Sequence, residues 1–256
     1  MNARHVVSGL WLIATCAGLS LFVPSAQGAG INLSWNNCAS DGGTSNQSFA
    51  CHTNVGQNVL VASFDPPPGI TKLVGSSAVI DLMIEASPLP AWWQLAAGGC
   101  REGGLQLDLN PVGTLNCIDY WSGAAGGSLS YLEVGGSPAR ARINLSCEIP
   151  EALSGPVEAG NEYYDFRLRL LHTKTVGTGA CGGCSETVCL ALTTVWLYQP
   201  SGMGDHALCN PAVNSWVTWQ GPSSFGCPPA DLPPPPECSA TTTVRRTWGM
   251  IKGLYR

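Results

Sequence analysis

The chain has little charge and no long helical pattern. Asp, Glu, Lys and Arg make up 11% of its 256 residues, against about 25% in ordinary soluble domains. No long segment of the body has apolar residues at 3.6-residue spacing, which argues against a helical body. Gly and Pro are frequent, at 31 and 19 residues, and both favour turns. This composition indicates a β-rich protein.

Enzyme motifs are also lacking. The chain has no G-x-S-x-G, H-E-x-x-H, P-loop or EF-hand spacing. His52, His172 and His206 occur in or beside turn-like sequence, so we predict surface positions for them. Acidic residues fall on polar strand faces or in loops, and no pair has a sequence reason for a shifted pKa. We therefore predict a non-enzymatic protein without cofactor or metal, and keep a polysaccharide hydrolase as a less favoured alternative.

Basic residues are scarce outside the last dozen positions, and the net charge is −5. An acidic body lacks the Lys and Arg patches that neutralise phosphates. The composition therefore excludes nucleic acid as an expected partner.

The first 28 residues have the pattern of a secretory signal peptide. Arg4 precedes an apolar stretch from Val6 to Val23, and small residues follow at Ala26 and Gly28. We predict cleavage after Gly28 and a secreted or cell-surface location. No later stretch approaches the roughly 20 apolar residues of a membrane span, so none is expected in the mature chain.

Of the 12 cysteines, Cys16 falls in the predicted signal peptide. Export to an oxidising compartment favours disulfides among the others, which are Cys38, Cys51, Cys100, Cys117, Cys147, Cys181, Cys184, Cys189, Cys209, Cys227 and Cys238. Their odd number predicts one unpaired thiol. Short Gly-, Ser- or Pro-rich loops favour local pairs, namely Cys38 with Cys51, Cys100 with Cys117, and Cys227 with Cys238. Cys147 and Cys209 are then the candidates for a bridge across the core.

Three of these cysteines form a C-x2-C-x4-C stretch, at Cys181, Cys184 and Cys189. It could be a structural staple, a zinc site or a redox pair. A zinc site usually needs a fourth nitrogen or sulfur ligand at motif spacing, and the next candidates are His206 and Cys209. A redox motif belongs at a strand-to-helix turn, but a strand-like sequence follows here. These points favour the staple.

Several segments alternate apolar and polar residues, which marks strands with one buried face. "ARARINLSCEI" (139–149) does so throughout, and "YYDFRLRLL" (163–171) sets Tyr164 and Phe166 against Asp165 and Arg167. "TVCLALTTVWLY" is apolar on both faces, as in a central strand. With turn clusters between them, these segments predict an all-β fold at 29–221, an antiparallel β-sandwich of Greek-key or jelly-roll type stapled by disulfides.

Two aromatic pairs suggest a binding surface. Trp92 and Trp93 are adjacent, so on a strand they would point to opposite faces and one ring could be exposed, and Tyr120 and Trp121 lie in a turn-rich stretch. Exposed rings on a sandwich can stack on sugars, whereas large rings usually fill the core or its open end. A carbohydrate-binding module, with a glycan as partner, is therefore an alternative function.

The sequence changes character after the predicted sandwich. Residues 222–241 are Pro-rich, with Pro233 to Pro236 as a predicted extended spacer. Residues 242–256 form a basic-aromatic tail, in which Thr247 is a candidate N-cap. Ten residues cannot hold a helix alone, so we expect the tail to order on binding or to remain a disordered end. The candidate recognition residues are Arg245, Arg246, Trp248, Ile251, Lys252, Tyr255 and Arg256.

The chain resembles a group of uncharacterised secreted bacterial proteins. The residues that carry this resemblance are "GINLSWNNC", "EYYDFRL", "KTVGTGACGGCSETVCL", "VTWQG" and the terminal "TWGMIKGLYR". It implies export, a Cys-containing β-sandwich and no catalytic residues. The ending is similar to short C-terminal segments on otherwise different exported proteins, which implies a sorting or retention tag read by export or cell-envelope anchoring machinery.

Overall fold

A computed structural model describes residues 28–111, 116–135, 139–222, 227 and 238. The predicted signal peptide up to position 27, most of the predicted linker and the whole tail lie outside these residues. The described strands are β1 (Gly30–Trp35), β2 (Asn46–Gln47), β3 (Gln57–Asp65), β4 (Gly75–Ile84), β5 (Leu105–Asp108), β6 (Ile118–Asp119), β7 (Gly126–Gly135), β8 (Ala139–Glu148), β9 (Tyr163–Leu171), β10 (Val188–Tyr198), β11 (His206–Leu208) and β12 (Trp216–Trp219). Short 3-10 helices span Ala39–Asp41, Ala91–Trp93 and Glu151–Leu153. In this part of the chain, no helix is long and apolar enough to cross a membrane.

The strands form two sheets that pack face to face. The smaller has the order β1-β3-β9-β5, with β6 parallel to β9. The larger has the order β2-β12-β10-β4-β8-β7, with β11 also paired to β10. Apart from the β6–β9 and β2–β12 contacts, the pairings are antiparallel. The predicted all-β sandwich is confirmed.

Strand β8 follows its sequence pattern along its whole length. Ala139, Ala141, Ile143, Leu145 and Cys147 are buried, and the residues between them are partly or fully exposed. A strand alternates its side chains between the two faces, so one face of β8 covers the core while the other meets solvent.

Strand β9 departs from strict alternation, which corrects the predicted face for Asp165. On β3, Ala62 is opposite Phe166 and the next residue, Ser63, is opposite Tyr164. Asp165 is therefore the extra residue of a β-bulge. A bulge breaks the two-residue period, and it turns the Asp165 carboxylate inward to Ser76 of β4 in the opposite sheet, at 2.5 Å.

Strand β10 is covered on both faces, as its sequence predicts. Leu190 and Leu192 belong to the core between the sheets. Cys189 and Ala191, which alternate with them, are 0% and 3% exposed yet lie outside that core. β4 pairs with one edge of the strand, and β12 and β11 pair with the other.

Five disulfides connect the described residues, and none is one of the predicted local pairs. They are Cys38–Cys117, Cys51–Cys184, Cys100–Cys181, Cys189–Cys227 and Cys209–Cys238. The sandwich topology brings cysteines 29 to 133 positions apart into contact, whereas sequence proximity had suggested short loops. The framework therefore joins segments that are distant in sequence.

The predicted Cys147–Cys209 bridge is also wrong. Cys147 is a buried free thiol on the inner face of β8. Cys209 follows Leu208, which belongs to the core, and its own sulfur bonds to Cys238. Desolvation raises the pKa of the Cys147 thiol well above its ordinary value, which makes it a poor nucleophile.

The C-x2-C-x4-C stretch is a staple, as favoured above, but of another kind. Cys181, Cys184 and Cys189 are each bonded to a different distant cysteine. Long closed loops restrict the unfolded chain more than short ones. Bonds from this trio therefore stabilise the fold by more than the local turn closures expected from the sequence.

Peptide mapping under non-reducing conditions should recover these five cross-links. In denaturant without reductant, thiol titration should find Cys147, plus Cys16 in a chain that keeps its first 28 residues. Native protein should leave Cys147 unmodified because it is buried. Recovery of a Cys38–Cys51 or Cys227–Cys238 peptide would contradict this framework.

Candidate functional site

The first pair of candidate stacking rings lies in the core. Trp92 and Trp93 occupy a 3-10 helix instead of a strand, and both are 0% exposed. Their centroids lie 4.8 and 5.4 Å from that of Trp219, and Trp35 is 6.0 Å from the same ring. The expectation of one exposed ring is wrong, because the helical turn directs both rings inward.

Arg101 closes this aromatic cluster. Its guanidinium carbon lies 3.5 Å from the Trp92 ring centroid. Its nitrogens donate to the carbonyls of Trp92 and Thr173, at 2.9 and 3.1 Å, and to that of Leu171. The side chain is buried, and burial lowers its pKa to about 10. No sequence pattern indicated this role, since Arg101 stands beside a cysteine in a turn.

The second aromatic pair is also structural. Trp121 is buried and its Nε1 donates to the Asp165 carbonyl at 2.6 Å. The half-buried Tyr120 places its hydroxyl 2.6 Å from the Leu73 carbonyl and accepts from the Gly155 N–H at 2.8 Å. These contacts fix both rings, so neither forms an open platform for a sugar.

A small polar cluster lies between the two sheets. Asp165 is fully buried, its Oδ1 accepts from the Ser76 hydroxyl, and its Oδ2 has no partner among the described residues. Burial raises the pKa of Asp165 to about 7, although the Ser76 hydrogen bond opposes the shift. Cys147 is adjacent on β8, opposite Ser76.

A pair of buried acids lies at the smaller sheet. Asp65 and Glu162 are 2% and 8% exposed. Glu162 accepts from the backbone N–H groups of Ala39 and Ser40, at 3.1 and 2.8 Å, and from the side chains of Asn32 and Ser63. Asp65 has no hydrogen-bond partner for either oxygen within the described part. Burial first, and the Glu162 charge second, raise the pKa of Asp65 to about 6.

One group of possible metal-ligand atoms occurs in the described ranges, at Cys38, Cys117 and Glu162. The two sulfurs are joined in a disulfide, so neither is a thiolate that could bind a metal. The Glu162 carboxylate is already used by neighbouring N–H and hydroxyl donors. These residues do not fit a metal ion.

A shallow cleft lies beside the Cys38–Cys117 disulfide. Its polar lining includes Asn36, Asn37, Asp41, Tyr164 and Arg167. Asp41 accepts from the backbone of Asn116 at 2.8 Å, and Arg167 pairs with Asp108 at 2.6 Å. These groups can form hydrogen bonds, but the lining has no unpaired nucleophile.

His172 is not the surface residue that the sequence predicted. It is 8% exposed, and its ring nitrogens lie 3.1 Å from the Val55 carbonyl and 2.9 Å from the Asn58 amide. Both nitrogens are thus held by neighbours, as expected for a structural histidine.

The predicted tail residues lie beyond the described chain, but Cys238, which precedes the predicted tail, is described. Cys238 is bonded to Cys209, and its sulfur lies 3.8 Å from the Thr194 hydroxyl of β10. Cys227 is bonded to Cys189 of the same strand. The Pro-rich segment is therefore fastened to the sandwich at both of these cysteines.

Comparison with known proteins gives distant structural similarity and no sequence match. No protein-family model matches the chain, and no curated protein matches it in sequence. A solved structure of the cohesin module from the Clostridium perfringens ATCC13124 family 33 glycoside hydrolase is similar at a TM-score of 0.30 and 10% sequence identity. The match covers 75% of this chain and 94% of that module.

Replacing Asp165 with Asn should change how stability depends on pH. The folded-state pKa of about 7 exceeds the ordinary 3.8, so the folded protein retains a proton that the unfolded chain loses. The free energy of unfolding should therefore fall by a few kcal/mol as pH rises from about 4 to 7. Asp165→Asn should flatten this decline in denaturation curves measured across that range.

Ser76→Ala is the matched control for Asp165→Asn. It removes the hydrogen bond that favours the ionised carboxylate, so the pKa of Asp165 should rise further and the decline in the free energy of unfolding should extend to higher pH. An unchanged pH profile in Asp165→Asn would contradict the assignment.

Arg101→Lys should destabilise the body by about 2–4 kcal/mol, because an ammonium cannot reach three carbonyls and cover a ring at once. Arg142→Lys is the control. Arg142 pairs with Asp81 at 2.7 Å but is 48% exposed, so its loss should cost at most about 1 kcal/mol. Equal denaturation midpoints for the two variants would argue against a structural role for Arg101.

Proposed function

We propose that the protein is an exported, non-enzymatic β-sandwich that is delivered to or retained at the cell surface through its C-terminal tail. The observation that carries the proposal is the disulfide at Cys238, which precedes the predicted tail. Cys238 is bonded to Cys209 and contacts Thr194 of the central strand, so the last described residue before the predicted tail is attached to the sandwich.

The disulfide framework supports export. Five cross-links in one sandwich suit an extracellular or periplasmic setting, since reducing cytosol disfavours them. The basic-aromatic ending is the part of the chain with concentrated positive charge, which suits recognition by an acidic or aromatic groove. Cys227 and Cys238 lie within the predicted Pro-rich linker, and each is disulfide-bonded to the sandwich.

The rings predicted to bind sugar do not support a carbohydrate-binding module, because Trp92, Trp93 and Trp121 are buried. The acid pair Asp65 and Glu162 is buried as well, so a polysaccharide bond cannot lie between their carboxylates as glycoside hydrolysis requires. We therefore propose neither activity.

Deleting residues 245–256 should change localisation without changing the stability of the body. The cut lies beyond Cys238, so all five disulfides remain. The fraction of protein in envelope and medium should shift, while the thermal midpoint stays within about 1 °C of the full chain, since surface changes away from packed groups have small effects.

A charge-only variant distinguishes a specific tag from a general basic end. Replacing Arg245, Arg246, Lys252 and Arg256 with Gln keeps Trp248 and Tyr255, whereas replacing those two rings with Ala keeps the charge. If the tail is a recognised tag, at least one of these two variants should change localisation as the deletion does. Unchanged localisation in the deletion and in both variants would reject the proposal.

A further inference from the structure

Asp65 ends β3 with a carboxylate that is buried but unpaired. It is 2% exposed, and neither of its oxygens has a hydrogen-bond partner in the described ranges. A buried ionised group without a partner is strongly unfavourable. Other buried polar groups of this sheet, such as Glu162, have several donors.

Among the described residues, the charged group that affects the pKa of Asp65 is an acid and not a cation. Glu162, which directly precedes β9, carries the same charge sign as Asp65 and raises its pKa. Strand β1 and residues 210–214, which bond to it, carry no titratable side chain. The Asp119 carboxylate of β6 accepts hydrogen bonds from the backbone N–H groups of Trp121 and Ser122. These groups therefore provide no positive charge to pair with an ionised Asp65.

The start of β1 lies directly beside Asp65. Gly30 is the antiparallel partner of Asp65, and partner Cα atoms in such a pair are about 5 Å apart. A side chain at Gly30 would collide with the backbone of Ala212, at 2.6 Å, so the chain packs closely here. The preceding Ala29 is exposed and can turn its backbone nitrogen toward the acid.

We propose that Asp65 is the counter-ion of the α-ammonium group that signal-peptide cleavage after Gly28 creates on Ala29. The inference rests on the proposed export. Before cleavage the Ala29 nitrogen is an uncharged peptide amide, and afterwards it is a cation one residue from the partner of Asp65. Maturation thus supplies the charge that the folded body lacks, and the mature protein gains an ion pair that the precursor does not have.

The sign of the pH dependence separates the two forms. With an uncharged Ala29 nitrogen, the pKa of Asp65 is raised to about 6, so its contribution to stability is lost as pH rises from about 4 to 6. With a free ammonium, the Asp65 pKa falls below 3.8, and the ion pair stabilises the fold above that pH and is lost on acidification. The pKa of the amine should rise above its usual value near 8.

The test uses two chains that differ only at the amine. Residues 29–256 are prepared with a free amine at Ala29 and, in parallel, with an acetylated one, so that the comparison does not depend on cellular export. Carboxyl chemical shifts followed by NMR should place the Asp65 pKa at least about two units lower in the free-amine chain. Asp65→Asn should lower the thermal midpoint of the free-amine chain and leave the acetylated chain unchanged or more stable.

Asp165→Asn is the control for Asp65→Asn, because Asp165 is a buried acid that faces the opposite sheet. Its effect should be the same in both chains. Equal Asp65 pKa values with free and blocked amines would overturn the ion pair. Stabilisation of both chains alike by added calcium, abolished in Asp65→Asn, would also overturn it and assign the acid to a metal.

N-terminal sequencing of exported protein tests the cellular step by itself. Ala29 as the first residue supports the proposal. A chain that begins elsewhere would overturn the maturation role, even if the prepared free-amine chain forms the pair. A chain that is not exported at all would reject the proposed function, which the NMR comparison does not address.

Discussion

Burial of strand β10 on both faces is the constraint on which the rest of the structure depends. Its inner side chains complete the core. Its two edges are paired with β4 on one side and with β11 and β12 on the other. Its outer side must be covered too, because Cys189 and Thr194 are buried there. The chain achieves part of this with the Cys189–Cys227 and Cys209–Cys238 disulfides, which bring later segments against the strand.

The same strand explains why three cysteines cluster before it. Cys181 and Cys184 hold the entry to β10 against Cys100 and Cys51, which come from loops far back in the sequence. The Cys184 carbonyl also accepts from the Trp219 indole at 2.7 Å. Disulfide and aromatic packing therefore meet at one end of the sandwich, and Arg101 covers the rings on one side.

The fold class could be predicted because two-residue alternation depends only on which face of a strand is buried. Strand β8 obeys that rule throughout. Disulfide pairing could not be predicted in this way, because it depends on which strands and loops the sheet order brings together. The Asp165 face was missed for a related reason, because a single bulge against Ala62 and Ser63 shifts the period without a local sequence signal.

Candidate sites were harder to predict than the fold. The adjacent Trp92 and Trp93 suggested one exposed ring, but that argument assumed a strand, and the 3-10 helix removes it. The buried acids carried no motif at all. Asp65 sits next to a Pro-rich turn and Asp165 within an alternating strand, so both resembled ordinary polar positions in the sequence.

The scarcity of charge makes these two acids informative. Only 11% of the residues are charged, so few ion pairs are available to a buried carboxylate. The free-energy cost of burying it must therefore be offset by its immediate neighbours or by protonation. Asp165 is offset by a hydroxyl and by protonation near neutral pH. Asp65 has no donor of its own, and it stands where β1 begins. Asp65 therefore lies unpaired at the position where a new chain terminus at Ala29 would provide a positive charge.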